Sequence, residues 1–567
     1  MQRNPSQLAD RKYDVVVIGG GIYGACIAWD AALRGLSVAL VERGDFGQET
    51  SANSLKTVHG GLRYLQDFDL NLVRMMIEER STYLRIAPHL VQPLACITPT
   101  YSKLTKSKLV LGTALKVNDI AGFDRNKSLD REIPSSQLLS MQACQEILPD
   151  LPNEGVTGAA LWHDAQIYDT ERLTLAFIAS AANAGADVSN YVEATGFLTR
   201  GNQIEGITAL DKISNETFEI QSQIVVNSAG PWIDSVLGNL DPNSRQPVFQ
   251  HSLAINIITR EIVGQYAAGV PSWPGGNNSV DRDQPVSHML FISPWRGNSI
   301  IGTFHSHYHG EPDQFSLEEK DMENIILEAN SAYPGANLEL NDIKFAHYGF
   351  LPEQPNSQQP EVKLVRKSRI VDHQKEDGLS GLISIMGVKY TTARNSAEKV
   401  VDLVFEKLKK NALPGNTQTM QVHGGQIDSF ENFLSSKILE DSSRLTPDTI
   451  DHWVRSYGTE YSNILESLDN KDDQTPLSLM SEPVIRAQVG YAIREEMAVK
   501  LADVIFRRTG IGTVGLPDNS ILEIIAETMA SKLGWSLDMV NLEIEEVRAN
   551  YRRHAASDPA VEYLEKT

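Results

Sequence analysis

The sequence predicts an α/β protein: a buried parallel sheet, a mostly antiparallel second unit, and a helical C-terminal part. Three observations carry this. Apolar runs pass through glycine into helical spacing twice, at VVVIGGGIYG (15–24) and at LISIMGVKYTTAR (382–394). Segments between about 245 and 345 alternate apolar and polar residues, the period of a half-buried strand. Beyond about 413 the apolar spacing becomes helical.

The first element is VVVI, four stiff apolar residues that suit a strand buried on both faces. ACIAWDAALRGL follows with Ile27, Ala31 and Leu33 near one helical face, and Gly35 suits its stop. SVALVE (37–42) is a second buried strand. Gly19-x-Gly21-x-x-Gly24 therefore occupies a strand-to-helix turn inside a βαβ unit of about 30 residues. Gly19 permits the turn, Gly21 lets a pyrophosphate approach the backbone, and Gly24 lets helix and strand pack closely. Amides at the helix start face the phosphates. Glu42, ending the second strand, can accept from both ribose hydroxyls of an adenosine without a 2′-phosphate. These residues predict dinucleotide binding and leave FAD and NAD both open.

A polar loop, GDFGQETSANSLKTVHGGLRYL (44–65), comes next, and a long polar loop inside a compact domain is usually functional. LNLVRMMIEERSTYLRIAPHL predicts a helix ending before Pro88, and a further helix spans about 169–184. Residues 97–150 give no clear pattern. Strand signals follow at 191–197, with a turn near Gly201-Asn202, and QIVVNSAG is another buried strand ending at Gly230. The stretch 413–416 (LPGN) is a linker, and Met497, Leu501, Val504 and Ile505 form a helical stripe that suits packing against a core.

The 567 residues allow about two to four domains. A net charge of −22 argues against a general nucleic-acid binder. The polar start MQRNPSQLADRKYD predicts no signal peptide, and no apolar run reaches the about 18 residues of a membrane span. Cys26, Cys96 and Cys144 form no metal or redox motif and suggest a reducing compartment.

Taken together, GGGIYGACIAWDAALRGLSVALVE, SLKTVHGGLRYL, NSAGPW, GVKYTTAR and YAIREEMAVKLADVIFRRTGIG resemble the FAD-dependent glycerol-3-phosphate dehydrogenases, within the larger D-amino-acid-oxidase-like group. The resemblance covers most of the chain. It implies a glutathione-reductase-type, Rossmann-like FAD domain (10–96, 150–245 and 345–412), an interleaved, mostly antiparallel substrate domain (97–149 and 246–344) and an all-helical C-terminal domain (413–567). It implies noncovalent FAD and oxidation of a secondary alcohol to a ketone. Electrons then pass to a quinone or other acceptor, the family's substrate being sn-glycerol 3-phosphate. Further expectations are a cytoplasmic protein, peripheral on the inner face of the membrane, and a homodimer.

The residues expected at FAD are Gly19, Gly21, Ile22, Tyr23, Gly24, Glu42, Arg43, Thr50, Ser51, Lys56, His59, Gly60, Gly61, Leu62, Ala229, Gly230, Trp232, Gly349 and the run Gly387, Val388, Lys389, Tyr390, Thr391. A flavin that accepts a hydride at N5 gathers negative charge near N1 and O2, so a cation or helix start belongs there. The amides after Gly387 and the Lys389 ammonium are expected to supply both. Arg63 and Tyr64 match substrate-side positions of the family, and Arg366 in KLVRKSR aligns with another.

Three positions break the family pattern. Leu351 stands where an arginine holds the phosphate, and Ala254 stands where a histidine acts as base. The family's GTTD becomes Gly302-Thr303-Phe304-His305. Leucine cannot make the charge-assisted contact an oxyanion favours. These changes suggest a different polyol or hydroxy substrate, with Arg63, Lys389 and Arg366 carrying any phosphate. His305, His307 or His251 is then the expected replacement base, an imidazole titrating near about 6.5. No metal is expected at the histidine run 305–309. An amine or amino-acid oxidase of the same group and a non-catalytic flavoprotein are the alternatives. SKLTKSKLVLGTALKVND, with Lys103, Lys106, Lys108 and Lys116, reads equally as a membrane-resting segment or a plain surface helix.

Overall fold

The computed structural model describes residues 1–102, 107–152, 154–240, 250–272, 288–354, 362–468 and 476–554. Lys103 and Lys106 lie outside them.

The strand Tyr13–Ile18 runs parallel to Val38–Val41 on one side and to Glu216–Asn227 on the other. Leu382–Met386 and Asp187–Ser189 extend the sheet in parallel on either flank, and Arg369–Asp372 closes one edge antiparallel. Every residue of the first two strands is buried, which explains their unbroken apolar sequence. Helices Ile22–Leu33, Thr170–Asn183 and Ala393–Leu408 share one core with this sheet, with the Trp29 and Phe177 rings 5.3 Å apart. The first helix stops where expected, before Gly35 in a left-handed conformation (φ +85°). Asp169 caps the second by accepting from the amides of Glu171 and Arg172.

A second sheet places Gln250–Arg260 between Asn298–Tyr308 and Phe345–Glu353, all antiparallel. It continues through His288–Trp295 and Ala267–Ser272 to Val91–Tyr101, its one parallel pairing among the described residues, and then to Val156–Ile167. Helix Glu319–Ala332 covers one face, placing Met322, Ile325 and Ala329 in a core with Ile255, Leu290 and Ile292. Val91–Tyr101, Val156–Ile167 and Phe345–Glu353 thus join this sheet, although the sequence-based division put 91–96, 150–167 and 345–353 with the cofactor domain. The physical reason is that sheet membership is decided by long-range pairing, which local sequence does not carry. The unpatterned region 97–150 contains helix Lys108–Ala121, capped by Ser107, and helix Met141–Ile147.

The C-terminal part is helical, from Phe430–Asp441 to Leu537–His554. Ile485, Val489, Leu501 and Ile525 pack against Ile258, Trp295, Ile300 and Phe345 of the second sheet. The stripe Met497–Ile505 is buried but is not one helix. Helix Glu482–Glu495 ends before it, Met497 is left-handed (φ 54°), and Asp503–Arg508 forms a π-helical turn.

Candidate active site

The turn after the first strand is built for close approach. A Cβ on Gly19 would lie 2.8 Å from the Ser228 carbonyl, and one on Gly24 would lie 1.9 Å from the Gly19 carbonyl. Gly24 therefore serves helix packing and does not line the cavity, whereas Gly19, Gly21, Ile22 and Tyr23 do. Ser51 Oγ accepts from the Ile22 amide at 2.9 Å and steadies the helix start. Glu42 also lines the cavity, with its carboxylate accepting from the amides of Gly20 (2.7 Å) and Gly44 (2.8 Å). Burial pushes this carboxyl up, against those two bonds. Arg43 pairs with Asp313 at 2.8 Å and lies over the Trp232 ring, whose Nε1 donates to the same Asp313. Ala229 and Gly230 complete this end, and nothing lies within 4 Å of where a Gly230 Cβ would stand.

From the glycine turn one cavity of about 2680 Å³ runs past Thr50, Ser51 and Gly349 to Gly387, Val388, Lys389, Tyr390 and Thr391. The bare glycine edge and open cradle fit a dinucleotide. His59, Gly61 and Leu62 also line it; Gly61 is left-handed (φ +81°). Gly60 does not: its amide donates to Asp164 Oδ1 at 2.7 Å, and a Cβ there would meet Arg80 at 2.3 Å. Lys56 must also leave the cofactor set. It is fully buried, with Nζ 2.7 Å from Glu171 Oε2 and 3.0 Å from Thr170 Oγ1, because a lone ammonium there needs a carboxylate. The amides of Val388 and Lys389 are not turned to a flavin either; both donate to the Tyr23 hydroxyl, at 3.0 and 3.2 Å. Tyr23 thereby ties the first helix to the Gly387 peptide, which packs so closely that a Gly387 Cβ would touch its ring at 2.4 Å.

At this end the cations gather. Arg63, Tyr64, Arg366 and Lys389 all line the cavity. Lys389 Nζ lies 5.0 Å from the Tyr64 ring centre and donates to the Arg366 carbonyl. Arg366 pairs with Asp67 at 2.9 Å and Lys367 with Asp69 at 2.8 Å; Arg63 has no ion pair among the described residues. Burial, then the charges of Arg366, Lys367 and Arg63, lower the Lys389 pKa to about 8. Leu351 and Ala254 are in the wall as well. In the sheet, Ala254 lies between His305 and Gly349.

The histidines separate. His305 lines the cavity. His307 lies two residues farther along the strand, beyond the cavity edge, with Nδ1 2.7 Å from the buried Glu353. His251 is also outside the wall, its Nε2 3.1 Å from the Pro231 carbonyl. Neither is placed as a base in this cavity. His59, which the sequence suggested only as a cofactor donor, lines the cavity as His305 does. Its Nδ1 is 3.1 Å from Asp164 Oδ2, and its ring stands edge-on to Phe291. Burial opposes the charge on Asp164, but bonds and charges from His59, Arg80 and Gly60 hold its carboxyl below the ordinary range. Nδ1–H therefore donates to a carboxylate and leaves Nε2 as an acceptor. Asp164 gave no signal in the sequence. Asn256, whose Oδ1 accepts from Thr303 Oγ1 at 2.9 Å in the same wall, gave none either.

Residues 14–402 match the FAD dependent oxidoreductase family, and residues 415–539 match the C-terminal domain of alpha-glycerophosphate oxidase. A glycerol-3-phosphate dehydrogenase of Synechocystis is 33% identical over 98% of this chain and 99% of its own. The chain belongs to the FAD-dependent glycerol-3-phosphate dehydrogenase family. An aerobic glycerol-3-phosphate dehydrogenase of Staphylococcus aureus is 29% identical over 98% of this chain and 97% of its own. The fold matches a glycerol-3-phosphate dehydrogenase from Bacillus halodurans complexed with FAD, with a TM-score of 0.75 and 23% identity over 98% of this chain and 97% of that one. This family member is thus an FAD-dependent oxidoreductase acting on CH–OH groups, as the sequence motifs implied.

Proposed function

We propose that this chain oxidises the secondary alcohol of a small anionic hydroxy compound to a ketone, with sn-glycerol 3-phosphate giving dihydroxyacetone phosphate as its first candidate. The reading is carried by one observation: Arg63, Arg366 and Lys389 converge on one wall around Tyr64. Burial first, and then the neighbouring charges of Arg366, Lys367 and Arg63, disfavour the Lys389 cation, and an anion offsets that charge repulsion. An arginine at 351 is then unnecessary, and Leu351 supplies an apolar wall. FAD, bound noncovalently in the glycine-lined half, supplies the hydride acceptor. His59 Nε2 takes the hydroxyl proton, and Asp164 holds the ring and stabilises the charge it gains. Anaerobic mixing with glycerol 3-phosphate, plain polyols and amino acids tests this: the phosphorylated alcohol bleaches the flavin. Bleaching by amino acids alone would overturn it in favour of an amine oxidase, and bleaching by none would favour a non-catalytic flavoprotein.

We further propose that the electron acceptor is a quinone taken up at the cavity rim. Among the described residues no helix is long and apolar enough to cross a membrane. Helix Lys108–Ala121 nevertheless turns Leu109 (78% exposed), Val110, Val117 and Ile120 (72%) outward, beside Phe68 (87%) and Phe123. Leu109, Val110, Val117 and Phe68 also line the cavity. An apolar rim of this kind suits a lipid surface that delivers a quinone. Vesicle flotation at low and high salt tests it, and no flotation at either would contradict it.

A further inference from the structure

Among the buried contacts between the C-terminal part and the dinucleotide half, which include Arg172 with Glu496 and with the Ser456 carbonyl, one centres on Asp45. Asp45, fully buried, lies in the loop that follows Glu42 and lines the cavity. Its carboxylate accepts from Arg508 Nη1 and Nη2 at 2.7 and 2.8 Å, from Arg507 Nε at 2.5 Å and from Asn190 Nδ2 at 2.9 Å. Both arginines belong to the π-helical turn Asp503–Arg508, a local form frequent at functional sites. Arg508 is itself fully buried and also donates to the Glu496 carbonyl; Arg507 also bonds Asp503, which accepts from the Tyr191 hydroxyl.

The other side of the loop touches the phosphate turn. Gly47 N donates to the Gly20 carbonyl at 3.1 Å, and Gly20 N donates to Glu42. A Cβ on Gly20 would meet the Phe46 ring at 2.7 Å, so loop and turn are in direct contact. Arg508 thus holds Asp45, and two residues along the same loop Gly47 is bonded to Gly20. A buried ion pair adds little net stability over an apolar filling. Its place here, between the cavity wall and a separate helical layer, gives it a positioning role.

We propose that the helical C-terminal domain is a cofactor clamp: Arg508, assisted by Arg507, holds the Asp45 loop against the glycine turn, so that docking of this domain and FAD binding are coupled. Arg508 and Asp45 are positioning residues; neither needs to touch FAD through its side chain. The inference rests on FAD binding and not on the identity of the substrate.

The test uses the full chain, stripped of FAD and titrated with it. In the wild type, FAD is expected to slow amide exchange in 499–512 as well as around 15–24 and 42–51. The paired variant Asp45→Asn with Arg508→Met leaves no unpaired charge from this ion pair. It is expected to melt close to the wild-type apoprotein, yet to bind FAD about tenfold more weakly or worse, in the usual range for coupled sites. It should also lose the FAD-dependent protection at 499–512. Glu543→Gln, which weakens a bond to the Leu501 amide inside the helical layer, should lower the melting temperature and leave FAD affinity unchanged. Wild-type FAD affinity in the paired variant overturns the clamp. So does an absence of FAD-dependent protection at 499–512 in the wild type, a readout that needs no variant to fold.

Discussion

The two ends of the cavity are made of different materials. At the dinucleotide end the working surface is backbone: glycines at 19 and 21, with carbonyls and amides fixed by Ser51, Glu42 and Tyr23. At the other end it is side chains: Arg63, Arg366, Lys389 and His59, with Leu351 and Ala254 on neighbouring strands. A backbone surface is specified by the shape of the chain and tolerates almost no added atom. A side-chain surface can change its ligand by single substitutions while the fold stays. A fold built this way can change its substrate side while keeping its glycine turn.

The largest effect sharpens the first half of that contrast. Gly24→Val would drive a branched side chain into the Gly19 carbonyl, overpacking that costs about 3 kcal/mol. The purified protein is expected to be nearly colourless, with a lowered melting temperature; a yellow, stable variant would break the comparison. At the other end, His59→Ala should keep its FAD and lose about 10²–10⁴-fold in the rate of flavin reduction. His305→Ala should change that rate little, and the reverse result would move the base to His305. Lys389→Met removes a charged donor worth about 1.5–3 kcal/mol, so the KM for glycerol 3-phosphate should rise about 10- to 100-fold.

A smaller, pH-dependent effect follows from the same lysine. Its pKa is lowered to about 8, so the cation is present below that pH and is lost as pH rises through it. Steady-state KM for the anion should be flat on the acid side and climb above pH 8, and the climb should vanish in Lys389→Met. The smallest effect lies at the rim. Leu109→Ser with Ile120→Ser should reduce vesicle binding several-fold by removing two exposed apolar contacts. Flavin reduction by substrate should not change.

What was legible in the sequence follows the same division. The strand–glycine–helix turn was legible because its rules are local: stiff residues, then glycines at fixed spacing, then a helix. The second sheet's strands between about 245 and 345 were legible by alternation, but Val91–Tyr101 and Val156–Ile167 were not read as strands, and their pairing depends on partners far along the chain. Lys56 resembled a cofactor donor beside HGG, and only the fold brings Glu171 to it across 115 positions. His59 and Asp164 are likewise 105 apart, so no motif could pair them. His305 and His307 share a strand, yet the cavity ends between them. The arginines of the π-helical turn were visible as residues, but their burial against Asp45 was not.

The most direct test of the central claim, that the cationic end selects a charged hydroxy compound, is rapid anaerobic mixing of the FAD-loaded protein with glycerol 3-phosphate and, separately, with glycerol. The apparent second-order rate of flavin bleaching should be greater for the phosphate ester by about 10³-fold, the combined worth of two charge-assisted contacts. Equal rates for the two alcohols, or faster bleaching by glycerol, would contradict the account.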